Sequence, residues 1–523
     1  MVAGIPLFFN LGALTSKDGD PDKVGIIDLG TGEERRFSYR DFEAQANAVA
    51  RALTARGLAR GDRVAILSAN RFEYLTTVHG IMRAGFVAVP VNFKFPPTTI
   101  DYIVRDSGAK LVFCDTPRLD SAPKDMPRIG FDNGSGDADF AGFLKPGPFT
   151  PVMPAAGEPA IFLYTSGSTG RPKGVVLSHQ SHIWVVAQRM AAQDMTPHRF
   201  LVAAPLYHMN ALAISQLAHA AHATVILLPQ FTTQLYLKAI EDYRCTWLTA
   251  VPPMIAMMLH DKERFAAIDL SSVEYLRMGS APVSQSLMKA IHQALPKAAV
   301  TNAYGTTEAG PVVFGPHPKG LPQPELSVGY PHPKVQTRLI GEDGALSDPG
   351  VLEMKSPAIM NGYHNRPDVA SPITADGFYI TGDVFRGDEN GFHFFVGRTD
   401  DMFVSGGENI FPGEVEKMLE SHPDVIQACV VPVDDDIKGT KPMAFVVKRE
   451  GSDLDEASLK TFALENAPAY QHPRSIWFVD SLPLASTNKL DRKTIQDMAA
   501  ERLRRGAEST TISGRDRDIK VRS

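Results

Sequence analysis

A chain of 523 residues is longer than one hydrophobic core supports, so two or more domains are expected. Its 44% hydrophobic and 21% charged content is that of a soluble globular protein, and a net charge of −6 argues against a dedicated nucleic-acid binder. The cysteines, Cys114, Cys245 and Cys429, lie far apart with no CxxC pair, which points to buried, reduced thiols.

The opening stretch is briefly apolar but has no basic flank, so a signal peptide is not expected. No window has the apolar length of a membrane span, and the cytoplasm is the default location. From Arg63 short apolar runs alternate with amphipathic stretches. Arg63–Leu67 reads as a strand, Arg71–Ala84 as a helix, and Phe86–Val89 and Lys110–Cys114 as further strands. Ser121–Pro159, rich in Pro, Gly and Asp, reads as a long surface excursion. The beat resumes at Ala160–Tyr164, Phe200–Ala204, Thr224–Leu228, Thr246–Val251, Val273–Met278 and Ala299–Ala303. This order predicts a large, layered α/β domain with parallel sheets over residues 1–398. After Gly397 the character changes. A polar segment, Gly397–Asp401, leads to helices near Glu414–Ser421 and Leu454–Glu465 and strands at Val425–Val433 and Met443–Val447. That pattern predicts a small α+β domain over 399–503, followed by an aperiodic, disordered tail over 504–523.

The run Ala160–Tyr164 leads straight into Thr165, Ser166, Gly167, Ser168, Thr169, Gly170, Arg171, Pro172, Lys173 and Gly174. Glycines let backbone approach a phosphate, the hydroxyls donate to it, and Lys173 supplies charge. The Walker spacing does not fit, because Gly170 is followed by Arg-Pro-Lys, and no GxGxxG is present. Further on, Tyr304 beside Gly305 offers a flat ring to a purine, and Thr307-Glu308 offers hard oxygens to a cation such as Mg²⁺, although a lone Glu is more often a solvated surface group. Asp383 in Tyr379-Ile380-Thr381-Gly382-Asp383 suits two ribose hydroxyls or simply a tight turn. Ser405–Ile410, with Gly406 and Gly407, reads as a loop.

The glycine-rich string resembles the phosphate loop of the adenylate-forming superfamily, which includes acyl- and aryl-CoA ligases, luciferases and the adenylation domains of peptide synthetases. The similarity runs from about Phe37 to Arg492 over six motifs in the family's order. It implies an AMP-forming acid–CoA ligase that uses ATP, Mg²⁺ and CoA. Tyr304 would stack on adenine, with Gly279, Ser280, Ala281 and Pro282 lining the base, and Thr307 would contact phosphate while Glu308 holds magnesium. Asp383 and Arg398 would hold the ribose, and Asp400 would be the hinge of a mobile C-terminal domain. Gly406 and Gly407 would line the CoA channel, and Lys489 would bridge carboxylate and α-phosphate. Asn488 replaces the family's usual glycine, and Gly350-Val351-Leu352-Glu353 departs from the usual Gly-Glu pattern in a structural region.

Pro205-Leu206-Tyr207-His208-Met209-Asn210 resembles the motif that closes the acyl pocket, with His208 as its gate. Met209, Asn210, Ala211, Ala281, Asn302 and Ala303 would be its walls. Their small, apolar character suits a hydrophobic acid, aryl or medium/long-chain. The partners implied are the acid, ATP and CoA, with no nucleic acid and no transmembrane segment, and a homodimer is left open. Two rivals stand beside this reading: a freestanding enzyme loading a phosphopantetheinyl carrier, and a non-catalytic nucleotide-binding relative. No Ser-His-Asp arrangement suggests a covalent nucleophile.

Overall fold

The computed structural model describes residues 8–165, 171–405, 408–435, 439–485 and 489–504. Two large sheets carry the N-terminal domain. The eight-stranded sheet runs Tyr363–His364, Lys173–Ser178, Pro159–Thr165, Val87–Pro90, Arg63–Leu67, Ala109–Cys114, Arg128–Gly130 and Ala138–Asp139 from edge to edge. Its strands are parallel from Pro159–Thr165 onward, and Lys173–Ser178 folds back antiparallel. The seven-stranded sheet runs Ala299–Ala303, Tyr275–Gly279, Trp247–Ala250, Arg199–Val202, Thr224–Leu227, Val24–Asp28 and Arg35–Ser38. Strands such as Val87–Pro90 and Thr224–Leu227 are buried at every residue, as parallel strands covered on both faces should be.

One continuous apolar core joins the two sheets through helices His179–Ala192 and Met209–Ala220. Ser178 starts the first of these by accepting from the Ser181 amide. On the seven-stranded sheet, Phe200, Trp247 and Tyr275 stand side by side in register and stack at 5.1 and 4.5 Å between ring centres, facing those helices. A third, antiparallel sheet of six strands contains Tyr379–Gly387 and His393–Arg398. The small domain is a five-stranded sheet built on the long hairpin Val425–Asp435 and Gly439–Lys448, packed against helices Pro412–Glu420 and Glu456–Asn466. The fold is thus a large α/β domain followed by a smaller α+β domain.

Four expectations need correction. Ser121–Pro159 is no mere surface excursion: it adds two edge strands to the eight-stranded sheet and buries Ile129, Phe131, Phe140 and Phe143. Its turn residues dominate the composition, while the few apolar side chains between them supply the packing. Gly397 and Arg398 end a strand rather than lie in a patternless segment. Ser405–Ile410 flanks a hairpin, with Phe403–Ser405 paired to Glu408–Ile410. Arg504, assigned to the tail, is the last turn of a helix over 492–504. Residues 1–7 and the rest of the tail, 505–523, lie outside the described residues. The three cysteines are free and buried, and among the described residues no helix is long and apolar enough to cross a membrane.

Candidate active site

The loops after Thr165, Gly279 and Ala303 leave the carboxyl ends of strands with parallel neighbours, the place where open α/β sheets bind ligands. Thr165 and Lys173 face one another across the antiparallel pair Pro159–Thr165 and Lys173–Ser178. Ser166, Gly167, Ser168, Thr169 and Gly170 lie outside the described residues, as do Gly406, Gly407 and Asn488. Gly174 must lack a side chain, since a Cβ there would come within 2.9 Å of the Tyr164 ring. The Lys173 ammonium stands 5.2 Å from the centre of the Tyr363 ring, and the Tyr363 hydroxyl donates to Glu308 Oε1 at 3.1 Å. The Thr306–Gly310 turn, closed by the Gly310 amide on the Thr306 carbonyl at 2.9 Å, presents Thr307 and Glu308. Burial raises the Glu308 carboxyl above its ordinary range, opposed by its hydrogen bonds and by the charge of Arg398.

Strand Ala299–Ala303 delivers Tyr304, whose hydroxyl donates to Asp383 Oδ2 at 2.5 Å. Asp383 pairs with Arg398 in the register of the six-stranded sheet, and the Arg398 guanidinium lies 3.1 Å from Asp383 Oδ1 and 3.3 Å from Asp400 Oδ2. Gly382, at φ 71°, turns the chain so that its carbonyl accepts from the Thr399 amide at 2.8 Å. Asp383 is raised by burial, against the pull of Arg398, Tyr304 and Lys489. Lys489 therefore reaches from the small domain into the field of Asp383 and Arg398. Burial, then Arg398, lower its ammonium, and Asp383 opposes them.

Gly279 ends its strand where a Cβ would meet the Ala303 carbonyl at 2.8 Å, and Ser280 follows in the left-handed region at φ 67°. A non-glycine residue held there stores on the order of 1 kcal/mol of strain, a feature that clusters at ligand sites. Ala281 and Pro282 continue this turn. His208 begins helix Met209–Ala220 with its ring against Tyr207 at 4.6 Å, and its Nε2 is buried without a hydrogen-bond partner among the described residues. Burial first, then Lys489 and Lys94, push its pKa down to about 3, so the ring is neutral near pH 7.

The expected pocket walls are less uniform. Ala211 is buried, Met209 Sδ lies 3.1 Å from His182 Nε2, and the Asn302 side chain is turned to the Leu326 carbonyl at 3.0 Å. Ala303 abuts Gly279, while Asn210 is half-buried. Sequence reasoning missed Tyr363, which links Lys173 to Glu308. No local spacing marks it, because an edge strand brings it in from the far side of the chain. Among the described residues no cluster of three or more His, Cys, Asp or Glu could hold a metal by itself. Glu308 alone is the kind of donor a magnesium ion takes beside substrate phosphates.

Residues 15–364 match the family model for AMP-binding enzymes, and 414–489 match that for the AMP-binding enzyme C-terminal domain. A feruloyl-CoA synthase from Amycolatopsis sp is 33% identical over 461 residues, 87% of this chain and 92% of the relative. A fatty acid–[acyl-carrier-protein] ligase, ScoC, from Streptomyces coeruleorubidus is 31% identical over 485 residues, 89% of this chain and 92% of the relative. The crystal structure of ATP-bound MatB from Rhodopseudomonas palustris superposes with a TM-score of 0.82 at 29% identity, covering 94% of this chain and 99% of MatB.

Proposed function

Because the chain belongs to the AMP-binding enzyme family, we propose that it is an AMP-forming acid–thiol ligase that activates a carboxylic acid with ATP and passes the acyl group to CoA. The observation that carries this reading is the placing of Lys489 of the small domain within the electrostatic reach of Asp383 and Arg398 of the large one, where Asp383 also holds Tyr304. In the first step a carboxylate oxygen of the acid bonds to the α-phosphorus while the bond to the bridging oxygen breaks and pyrophosphate leaves. Two anions must meet, so the barrier is electrostatic, and fixed cations aimed at the developing charge lower it. Lys489 fills that role, with Lys173 on the departing phosphates. Tyr304 holds the base beside Gly279–Pro282, and Asp383 with Arg398 holds the ribose. Glu308 and Thr307 fit a magnesium ion that arrives with ATP and offsets phosphate charge.

In the second step a thiol sulfur attacks the acyl carbon and AMP leaves, the thiol proton passing to solvent. Nothing in this step needs Lys489, so the small domain swings about Asp400, withdraws the lysine and brings Gly406 and Gly407 to the pantetheine path. His208, neutral and with Nε2 unmet, gates the pocket between the two steps. The small residues Ala211, Ala281 and Ala303 suit an acid with an apolar aryl or medium/long aliphatic body. The ScoC relative supports a second reading, in which the acceptor is the phosphopantetheine of a carrier protein.

Pyrophosphate release from a panel of acids, with and without CoA, tests the proposal. Thioester is expected only when CoA is present, and adenylate without thioester would favour the carrier reading. Lys489→Ala should nearly abolish adenylation while sparing thioester formation from supplied acyl-adenylate. Equal loss of both steps would remove the two-conformation scheme.

A further inference from the structure

Two arginines lie beside the proposed acyl pocket and belong to none of the roles above. Arg277 is on strand Tyr275–Gly279, two residues after Tyr275 and two before Gly279. Its side chain therefore shares the face that carries Trp247, Tyr275, Gly279 and, across the register, Ala303, the face turned to helix His179–Ala192. Arg189 is on that helix, one turn beyond Val185, which a Cβ on Gly310 would approach to 3.3 Å. The Arg277 Nη2 donates to the Pro311 carbonyl at 3.2 Å, one residue along from Gly310. Arg277 thus reaches the segment that also backs Gly305, where a Cβ would meet Pro311 Cα at 2.6 Å, and Arg189 lies one turn along the helix whose Val185 faces the same segment.

Among the described residues, neither arginine forms an ion pair with a carboxylate. This is unlike the other deeply placed arginines: Arg83 is paired to Glu43, Arg71 to Glu73 and Asp132, and Arg492 to Glu416. Both side chains are partly rather than fully buried. Burial lowers Arg189 to about 10. Burial first, and the charge of Arg189 second, lower Arg277, and neither has a carboxylate partner among the described residues. Leaving cations in that state is costly, and an arginine fork matches carboxylate and sulfonate oxygens.

We propose that Arg277 and Arg189 form an anion subsite at the far end of the acyl pocket, and that the acid substrate carries a second anionic group, a carboxylate or sulfonate, on its apolar body. The inference rests on the ligase reading and sharpens its substrate class: the apolar walls hold the body, and the arginines select the tail. A neutral acid of the same length leaves both guanidiniums desolvated and unpaired, which is the stronger form of discrimination.

The test measures pyrophosphate release with ATP for matched acids: p-toluate against terephthalate and 4-sulfobenzoate, hexanoate against adipate and 6-sulfohexanoate, and octanoate against suberate. The expected result is a kcat/KM preference for the anionic member of at least one set. That preference should shrink about tenfold to a hundredfold in Arg277→Met and in Arg189→Met, and should partly return in Arg277→Lys. Whether the carboxylate or the sulfonate arm leads identifies the tail. Turnover of the neutral acids with no anionic preference, or equal loss for every acid in both variants, would overturn the subsite while leaving the ligase reading in place. If no acid releases pyrophosphate, the ligase reading fails, and the subsite falls with it.

Discussion

Charge at Lys489 and its absence at His208 give the proposed adenylation step a distinctive pH profile. The ammonium of Lys489 is lowered from the ordinary 10.5 by burial and by Arg398, with Asp383 opposing. Only its protonated form offsets the charge of the attacking carboxylate and phosphate. Adenylation should therefore fall on the alkaline side earlier than an exposed lysine would dictate. His208, at about 3, is already neutral where histidines ordinarily titrate, so no acid limb near pH 6.5 belongs to it. A rate profile of pyrophosphate release for the wild type and His208→Asn checks both points. A limb near 6.5 that disappears in His208→Asn would show a titrating histidine and overturn the neutral gate. Asp383 completes this cluster: removing it as Asp383→Asn takes away a carboxylate that favours the Lys489 charge, so the alkaline limb should move to still lower pH.

The segment that carries Lys489 is anchored by one ion pair. Three residues after the lysine, Arg492 makes two parallel bonds to Glu416 of helix Pro412–Glu420, at 2.6 and 2.7 Å, and reaches the Val430 carbonyl at 3.0 Å. Glu416 also accepts from the Val430 amide at 2.8 Å, so helix, strand and C-terminal segment share one carboxylate. Removing one partner strands the other in a half-buried site, at a cost of about 3–5 kcal/mol. Arg492→Met and Glu416→Gln should each lower stability by that order in urea titrations, and the double variant should lose much less than the sum. Full additivity would mean that the pair is not coupled. Residues 64–67, 87–90 and 225–227 are buried on both faces, so they read as unbroken apolar runs. Arg128–Gly130 and Ala138–Asp139 are two or three residues long among turn formers, and pairing rather than pattern makes them strands. Val24–Asp28 joins Thr224–Leu227 from far away in the chain, which no local window sees. The site divides in the same way. Lys173, Glu308, Asp383, Arg398 and Lys489 sit in compact motifs, whereas Tyr363 on Glu308 and Arg277 on the Pro311 carbonyl exist only as long-range pairs.

Between the two domains lies a contact whose strength depends on pH. Helix Pro412–Glu420 of the small domain packs on strand His393–Arg398, with the Lys417 ammonium donating to the Phe395 carbonyl at 3.0 Å. At the end of that helix Glu420 accepts from the Ala428 amide at 3.0 Å, and the helix packs against Gln285–Ala294 of the large domain, which Ser284 caps. Burial first, and then the neighbouring Glu416, push the Glu420 carboxyl up to about 7 against the pull of Ala428, Ser284 and Lys417. A raised carboxyl holds its proton in the folded state after the unfolded chain has lost it. Its contribution is thus present in full below pH 4.5, is lost progressively as pH rises from about 4.5 to about 7, and stays lost above that. Glu420→Gln keeps a neutral donor–acceptor at the contact at every pH. Relative to wild type it should gain about 1–3 kcal/mol at pH 8 and nothing at pH 4 to 5, as thermal melts at the two ends would read. Equal melting differences at both ends would show that Glu420 does not titrate in this window. Because the contact joins the domain that bears Lys489 to the domain that bears Asp383, the effect should extend to the reaction. Raising pH from 6 to 8 loosens the arrangement in which Lys489 meets the nucleotide site. Wild type should then shift toward the thioester half-reaction relative to adenylation, and Glu420→Gln should show a smaller shift. If both proteins shift alike, the domain arrangement is governed by contacts other than those of Glu420.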